Sequence, residues 1–187
     1  MGALIKSFQT AIPGLFFAET TVRLDERGSF ARLFCQGELS TLLESRQVVQ
    51  INHSCTASVG AIRGLHFQYP PHAEMKFVRC LKGRVWDVAV DIRESSPTFL
   101  QWHAEELSPA NGRMMIIPEG FAHGFQALES NAELLYLHTA FYEPTTEGGL
   151  MYDDPRLAIA WPVAVADLSS RDSAHPYLES AWSGVKL

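Results

Sequence analysis

Hydrophobic and polar residues alternate in short segments along most of the chain, a pattern typical of β-strands. These segments are rich in aromatic and β-branched residues and are separated by clusters of Gly, Pro, Ser and Asn. We predict strands at residues 14–20, 28–35, 48–55, 75–81, 84–92, 98–107, 113–118, 124–128 and 132–142. Many short strands at such intervals favour a sandwich or a barrel.

The clearest predicted strand covers residues 84–92 and follows a predicted turn at residues 81–84. Because strand side chains point to opposite faces with a period of two, the larger apolar residues are expected to share one face. The two alternating sets are Val85, Asp87, Ala89 and Asp91, and Trp86, Val88, Val90 and Ile92. Helical patterns are confined to residues 38–44 and 177–182, and both are short.

Composition and charge are typical of one β-rich domain spanning residues 1–187. Hydrophobic residues make up 47% of the chain, enough for a core without disulfides. The formal net charge of -6 gives no general attraction to nucleic acid or to an anionic membrane, so neither is an expected partner. No apolar run approaches the roughly 18 residues of a membrane span, and no export signal is recognised. We therefore expect a cytoplasmic protein.

Several common catalytic motifs are absent from the sequence, namely the P-loop, GxGxxG after a strand, HExxH and GxSxG. The cysteines Cys35, Cys55 and Cys80 are widely spaced and lie outside any CxxC pattern. They are expected to be small buried residues rather than disulfide partners or zinc ligands.

Two stretches resemble the two motifs of the cupin family, which implies a jelly-roll or double-stranded β-helix barrel with a few short helices. In residues 112–123 a Gly is followed by Pro-x-Gly and then by His123. In residues 60–83 His66 keeps the first ligand position, but Gln68 replaces a second His and Lys76 replaces a Glu. Amide and ammonium groups are poor ligands for divalent metals, so neither a metal nor another cofactor is expected.

His66 and Tyr136 are candidates for acid–base chemistry. Arg63 and Lys76 lie near His66 in the sequence and disfavour its protonation, and a neutral imidazole is a competent general base. The alternative is a histidine that is only hydrogen-bonded in the core, and it applies to His123 as well. For Tyr136 the alternative is simple packing of an aromatic ring.

Longer segments resemble dTDP-4-dehydrorhamnose 3,5-epimerase and related sugar-nucleotide epimerases. The resemblance is carried by residues 12–30, 63–68, 75–99, 107–111, 117–125, 133–142, 152–162 and 168–172. It implies an isomerase that acts on a nucleotide-linked 4-keto-6-deoxy sugar by removing and returning protons beside the C4 ketone. The expected substrate is dTDP-4-dehydro-6-deoxyglucose in dTDP-L-rhamnose biosynthesis.

The same resemblance implies roles for four residues. His66 would be the general base, and Asp172 the carboxylate that orients it and stabilises its imidazolium form. Tyr136 would return a proton from the opposite face of the sugar. Lys76 would lie beside the C4 oxygen and stabilise the enolate.

Other positions match family residues that contact the nucleotide, the pyrophosphate or the sugar. They are Arg27, Arg32, Gln50, Asn52, Arg63, His123, Tyr142, Glu147 and Arg171. Arg32 stands where rhamnose-pathway enzymes commonly have a Glu against the base, and His138 replaces a common Lys. The Arg32 difference leaves the identity of the base open, and a CDP-linked sugar is one alternative.

Two other functions stay open at this point. One is an epimerase that inverts only C3 or only C5, and the other is a catalytically idle cupin that binds sugar nucleotides. Members of the family are homodimers in which N-terminal strands cross to the partner's sheet. The resemblance therefore implies a homodimer in which residues 12–18 form an interface strand.

Overall fold

The computed structural model describes residues 3–187 and consists mainly of antiparallel β-strands. The strands are β1 (Ile5–Gln9), β2 (Phe16–Thr20), β3 (Arg23–Asp25), β4 (Gly28–Phe30), β5 (Gln50–Thr56), β6 (Ile62–Gln68), β7 (Lys76–Lys82), β8 (Val85–Asp91), β9 (Trp102–Leu107), β10 (Arg113–Ile117), β11 (Phe121–Ala127), β12 (Ala132–His138) and β13 (Glu147–Gly149). One short helix, α1 (Ser40–Leu43), and two 3-10 turns, Pro144–Thr146 and Asp172–Ala174, complete the described elements.

Two antiparallel sheets form the body of the fold. The first has six strands in the order β1-β2-β10-β7-β12-β5, and the second has five in the order β13-β6-β11-β8-β9. Strands β3 and β4 form a separate hairpin that belongs to neither sheet. The predicted mainly β, jelly-roll class is confirmed.

The main core lies between the two sheets, because every central strand directs alternate side chains inward. The six-stranded sheet contributes Val78, Met115 and Leu134, and the five-stranded sheet contributes Ala89 and Phe125, all of them buried in one cluster. On β7 and β12 this inward face changes from apolar to polar toward one end of the sandwich. That change leaves room for a polar site at one end of an otherwise apolar interior.

Both outer faces of the sandwich are also covered. Residues around α1 pack Leu39 and Leu43 on the six-stranded sheet, and the C-terminal segment packs Leu157 and Val185 on the five-stranded sheet. Strand β8 is consequently buried on both faces, Asp87 included. Trp86, Val88, Val90 and Ile92 share one face, as the alternation predicts, and that face is covered by the C-terminal segment.

The strand predictions succeeded where alternation was regular, and they missed three strands of five residues or fewer and the seven-residue β6. All nine predicted segments contain a strand, but β1, β3, β6 and β13 were not predicted as strands. The helical prediction at 38–44 was too long, and residues 177–182 contain no helix. Cys80 is buried as expected, whereas Cys55 is exposed on an edge strand.

The N-terminal strands pair within their own chain. Strand β2 lies between β1 and β10, and Ile12, Leu15 and Ala18 are buried against the chain's own core. These contacts lie within one chain, so the interface role of residues 12–18 in a homodimer stays a prediction. Among residues 3–187, no helix has both the length and the apolar character needed to cross a membrane.

Candidate active site

A cavity of about 940 Å³ opens at the polar end of the sandwich and is lined by residues of both sheets. The inward residues of β7 and β12 explain its polarity. Val78 and Leu134 lie in the apolar core, whereas Lys76 and Tyr136, two positions further along the same faces, line the cavity. A volume near the upper end of the usual range for small-ligand sites, roughly 300–1,000 Å³, suits a nucleotide-sized ligand.

His66 and Asp172 form a close pair at one wall of the cavity. Strand β6, held between β11 and β13, carries His66, and the 3-10 turn Asp172–Ala174 brings Asp172 against it. Nε2 of His66 lies 2.6 Å from Oδ1 of Asp172, which is only 3% exposed. Because an ionised carboxylate can only accept, Nε2 carries the hydrogen and Nδ1 carries the free lone pair.

The environment of Asp172 keeps its carboxylate ionised. Burial opposes ionisation, but the hydrogen bond and charge of His66 outweigh it, so the pKa of Asp172 lies below its usual value. The amide of Gly64 donates a further hydrogen bond to Oδ2 at 3.4 Å. Asp172 can therefore orient His66 and stabilise its imidazolium form.

A polar network surrounds His66 at the mouth of the cavity. Nη2 of Arg171 lies 3.5 Å from Nδ1 of His66, and Nη1 donates to Glu147 at 3.0 Å. The hydroxyl of Tyr142 donates to the same carboxylate at 3.1 Å. Arg171 and Tyr142 remain about half exposed, so both are free to contact a ligand that enters the cavity.

Lys76 lies on the opposite sheet and is buried with a carboxylate partner. Its Nζ lies 3.1 Å from Oε1 of Glu74 and donates to the backbone oxygen of His66 at 3.4 Å. Glu74 also accepts from Nδ1 of His138 at 2.8 Å. Burial would raise the pKa of Glu74, but His138 and Lys76 together hold it below the ordinary value. Sequence reasoning missed Glu74, although its place two residues before Lys76 was a usable signal.

Tyr136 also faces the cavity from the six-stranded sheet. Its hydroxyl oxygen lies 3.0 Å from Oγ of Ser54 on the neighbouring strand β5. Burial raises the pKa of Tyr136 to about 12, so the phenol carries its proton at neutral pH. A protonated phenol in this position can donate a proton and cannot act as a base.

His123 lies beside Tyr136 and is paired with a fully buried carboxylate. Nε2 of His123 is 2.8 Å from Oδ1 of Asp87, and the His123 and Tyr136 rings meet edge to face at 6.3 Å. Burial raises the pKa of Asp87 despite the opposing effect of His123. Alternation assigned Asp87 to a strand, but no pattern in the sequence indicated that it faces a histidine.

Eleven of the predicted site residues line this one cavity. They are Gln50, Asn52, Arg63, His66, Lys76, His123, Tyr136, Tyr142, Glu147, Arg171 and Asp172.

Arg27 and Arg32 do not reach the cavity of their own chain. Arg27 lies on the exposed hairpin and pairs with Asp25 at 2.7 Å, and Arg32 pairs with Glu38 at 2.6 Å. Substrate contacts of these two residues stay predictions, because one chain by itself brings neither of them to the cavity.

The two-sheet jelly roll and the cavity with a His–Asp pair, a protonated Tyr and a buried Lys define a cupin-type acid–base isomerase. The family model described as dTDP-4-dehydrorhamnose 3,5-epimerase matches residues 9–180. The chain belongs to this family of epimerases.

Individual relatives agree with this assignment. The dTDP-4-dehydrorhamnose 3,5-epimerase of Salmonella typhimurium is 45% identical over 175 residues, which cover 92% of this chain and 95% of that protein. The crystal structure of dTDP-6-deoxy-D-glucose-3,5-epimerase from Legionella pneumophila, in complex with dTDP-4-keto-L-rhamnose, is 39% identical, with a TM-score of 0.91 and 98% of each chain covered. A 3'-monoepimerase from Streptomyces bikiniensis, in complex with dTDP-quinovose, is 30% identical, with a TM-score of 0.84 and 90% and 85% covered.

Proposed function

We propose that this chain inverts C3 and C5 of dTDP-4-dehydro-6-deoxyglucose, a step of dTDP-L-rhamnose biosynthesis. One observation carries the proposal: His66 and Tyr136 face the same cavity from opposite sheets. A sugar ring held between the sheets meets a base on one face and an acid on the other. Inversion at a carbon requires this arrangement.

The first step is removal of a proton beside the ketone. Nδ1 of His66 accepts the proton, and Asp172 stabilises the imidazolium that forms. Charge develops on the C4 oxygen as the enolate appears, and the buried ammonium of Lys76 stabilises it. A positioned donor at such an oxygen contributes about 3–4 kcal/mol to catalysis.

The second step is return of a proton to the other face. Tyr136 donates its phenolic proton to the same carbon, and the enolate collapses to the ketone. His66 then releases its proton to solvent, and Tyr136 takes one up from solvent. Repetition at the other carbon beside the ketone gives the doubly inverted product. The chemistry requires no redox cofactor, because no electrons are exchanged with the protein, and Lys76 supplies the positive charge that the enolate needs.

The remaining lining residues hold the nucleotide and the pyrophosphate. Arg63 and Arg171 present guanidinium groups suited to bidentate contacts with phosphate oxygens. Gln50 and Asn52, on the edge strand β5, offer amide groups to the base or the sugar.

Deuterium uptake from D2O tests this proposal. Chelator-treated protein is incubated with dTDP-4-dehydro-6-deoxyglucose, and proton NMR follows C3 and C5 separately. We expect uptake at both positions, and His66→Ala should abolish it while leaving dTDP affinity nearly unchanged. Binding of the nucleotide sugar without any uptake would instead identify a non-catalytic sugar-nucleotide-binding protein.

A single-centre epimerase is the second candidate function, because the Streptomyces bikiniensis relative is a 3'-monoepimerase with the same fold. The same experiment separates the two, since uptake at only one carbon would establish the second candidate. A protein active on a CDP-linked sugar but not on the dTDP-linked one would assign a different base, as the Arg32 difference allows.

We also propose that two copies form a homodimer in the cytoplasm, through the β3–β4 hairpin. Leu24 is 79% exposed and Phe30 is 62% exposed on this hairpin, an unusual exposure for two large apolar residues. A second copy would cover them and bring Arg27 toward the partner's cavity. Light scattering of the purified protein should give twice the chain mass.

A further inference from the structure

His175 lies beside the His66–Asp172 pair, yet it does not line the cavity and the proposed reaction does not use it. Its Nε2 is 3.9 Å from Oδ1 of Asp172, and its ring meets that of His66 at 5.8 Å, nearly edge to face. The ring is held against Gly149, where an added Cβ would lie 2.1 Å from Cε1. His175 is therefore fixed in place behind the catalytic pair.

The nitrogen of His175 that faces this pair has no hydrogen-bond partner. Nε2 is buried, whereas buried ring nitrogens are nearly always hydrogen-bonded. Burial, reinforced by the charge of His66, lowers the pKa of His175, so the ring is neutral at neutral pH. A neutral imidazole with an unused nitrogen is the form of histidine that binds metals.

We propose that His66, Asp172 and His175 form an inhibitory binding site for Zn²⁺ or a similar transition-metal ion. One ligand atom from each residue lies within 4.8 Å of the others. Zinc takes histidine nitrogens and carboxylate oxygens at about 2.0–2.2 Å, so ligand atoms around it are on the order of 3–4 Å apart. Small side-chain shifts bring the three residues to that spacing.

The guanidinium of Arg171 is a positive charge close to this site and opposes metal binding there. Its Nε lies 3.6 Å from Oδ1 of Asp172, and its Nη2 lies 3.2 Å from Nε2 of His66. The side chain is about half exposed and is also anchored to Glu147, so it can turn toward that carboxylate when a metal enters. The charge of Arg171 limits the affinity and makes the site selective for strongly coordinating ions.

Metal binding at this site removes the base of the proposed reaction. Once a nitrogen of His66 is coordinated and the ring is turned toward the ion, His66 is no longer placed to accept the substrate proton. The inhibitory consequence rests on the proposed function, whereas metal binding does not.

Direct titration tests the site without any enzyme assay. Chelator-treated protein is titrated with ZnCl₂ by calorimetry at neutral pH, and with CoCl₂ by visible absorption. We expect one tight equivalent in the native chain, with an affinity that falls as the pH falls because the imidazoles become protonated. His175→Phe, which keeps a ring against Gly149, should weaken this binding at least tenfold, since even outer-shell changes cost about 10–100-fold.

His53→Gln is the matched control, because His53 is an exposed histidine paired with Glu133 outside the cluster. It should leave the tight equivalent unchanged. Zinc binding that is as tight in His175→Phe as in the native chain would overturn the proposal. Equal losses in His175→Phe and His53→Gln would overturn it as well.

The activity measurement then tests inhibition. Zinc should suppress deuterium uptake in the native chain, and chelator should restore it. His175→Phe should keep the native rate without zinc and need at least about ten times more zinc for the same suppression. If the chain has no epimerase activity, the calorimetric result still decides whether the metal site exists.

Discussion

At the scale of single residues, the surroundings of His66 and of Tyr136 favour different protonation states. His66 has an ionised carboxylate against one nitrogen, whereas Tyr136 is buried and keeps its proton to a pKa of about 12. Two groups whose surroundings favour opposite protonation states are the pattern expected of a base and an acid in one reaction.

Asp172→Asn should lower kcat about 10²–10⁴-fold, the usual contribution of acid–base catalysis. An amide keeps the shape of the side chain but cannot stabilise the imidazolium, and it can present a donor to the wrong ring nitrogen. Steady-state kinetics measures the loss, and calorimetry with dTDP should show unchanged affinity. A variant with native kcat would remove Asp172 from the mechanism.

Tyr136→Phe should separate proton removal from inversion. Without the phenol, His66 still takes a proton and returns a deuteron on the same face. NMR in D2O should therefore show uptake with little inverted product. Ser54→Ala is the control, because it removes the hydroxyl partner of Tyr136 and keeps the phenol. Full inversion by Tyr136→Phe would assign the acid to another residue.

Glu74→Gln should destabilise the fold by about 3 kcal/mol, because the buried ammonium of Lys76 loses its carboxylate. Urea unfolding at neutral pH measures the loss. Glu129→Gln, which breaks an exposed pair with Arg84, should cost less than about 1 kcal/mol.

The Glu74 effect should also depend on pH. The pKa of Glu74 is held below its ordinary value of 4.5, so its contribution is complete above that pH. The contribution is lost as the pH falls through the lower folded-state value. The stability difference between native chain and Glu74→Gln should therefore shrink in acid, and a constant difference would contradict the assignment.

At the scale of elements, close contact between β6 and β11 sets the position of both cavity histidines. Gly64 has a φ of +125°, and a Cβ there would lie 2.4 Å from Cα of Gly124 and 2.7 Å from the backbone oxygen of His123. Strands β6 and β11 approach this closely only because neither Gly64 nor Gly124 has a side chain. His66 and His123, paired in register nearby, depend on that approach.

Gly64→Ala should therefore cost more than about 2 kcal/mol and abolish activity, through backbone strain and overpacking together. Thermal unfolding and the deuterium assay measure both effects. Gly37→Ala is the control, since nothing lies within 4 Å of an added Cβ there and its φ is ordinary. Native activity in Gly64→Ala would show that the strand contact does not position the site.

At the scale of the whole molecule, the cavity is the space between two sheets whose outer faces are covered. One residue that was expected to bind the substrate lies outside this cavity. Arg27 is carried by the exposed hairpin, away from the cavity of its own chain. In the proposed homodimer, each cavity would be completed by the hairpin of the other copy.

Mixing two impaired variants tests whether each active site contains residues of both chains. His66→Ala lacks the base, and Arg27→Ala should have a strongly raised KM if Arg27 contacts the substrate. When the two are unfolded, mixed and refolded together, the mixed dimer should contain one intact site, with His66 from one chain and Arg27 from the other. Recovered activity at low substrate concentration is expected. No recovery should be seen if Arg27 serves its own chain, and a native KM in Arg27→Ala alone would show that Arg27 serves no chain.

The sequence by itself determined the class of fold and most of the site. Segments such as residues 84–92 alternate with a period of two. This period predicts a strand and the face on which each of its side chains lies. Motif spacing and family resemblance together predicted a site containing His66, Lys76, Tyr136 and Asp172, and these four residues line one cavity. The prediction was possible because these positions lie in segments long enough to be matched.

Only the tertiary structure decided which groups meet. The pairings of Glu74 with Lys76 and of Asp87 with His123 depend on how strands are brought together. The contact of His175 with Asp172 depends on a turn more than a hundred residues after His66. The periodicity of a sequence shows on which face of a strand a side chain lies. It does not show which residue that side chain meets, because its neighbours depend on the order of strands in the sheets and on the segments that cover each sheet.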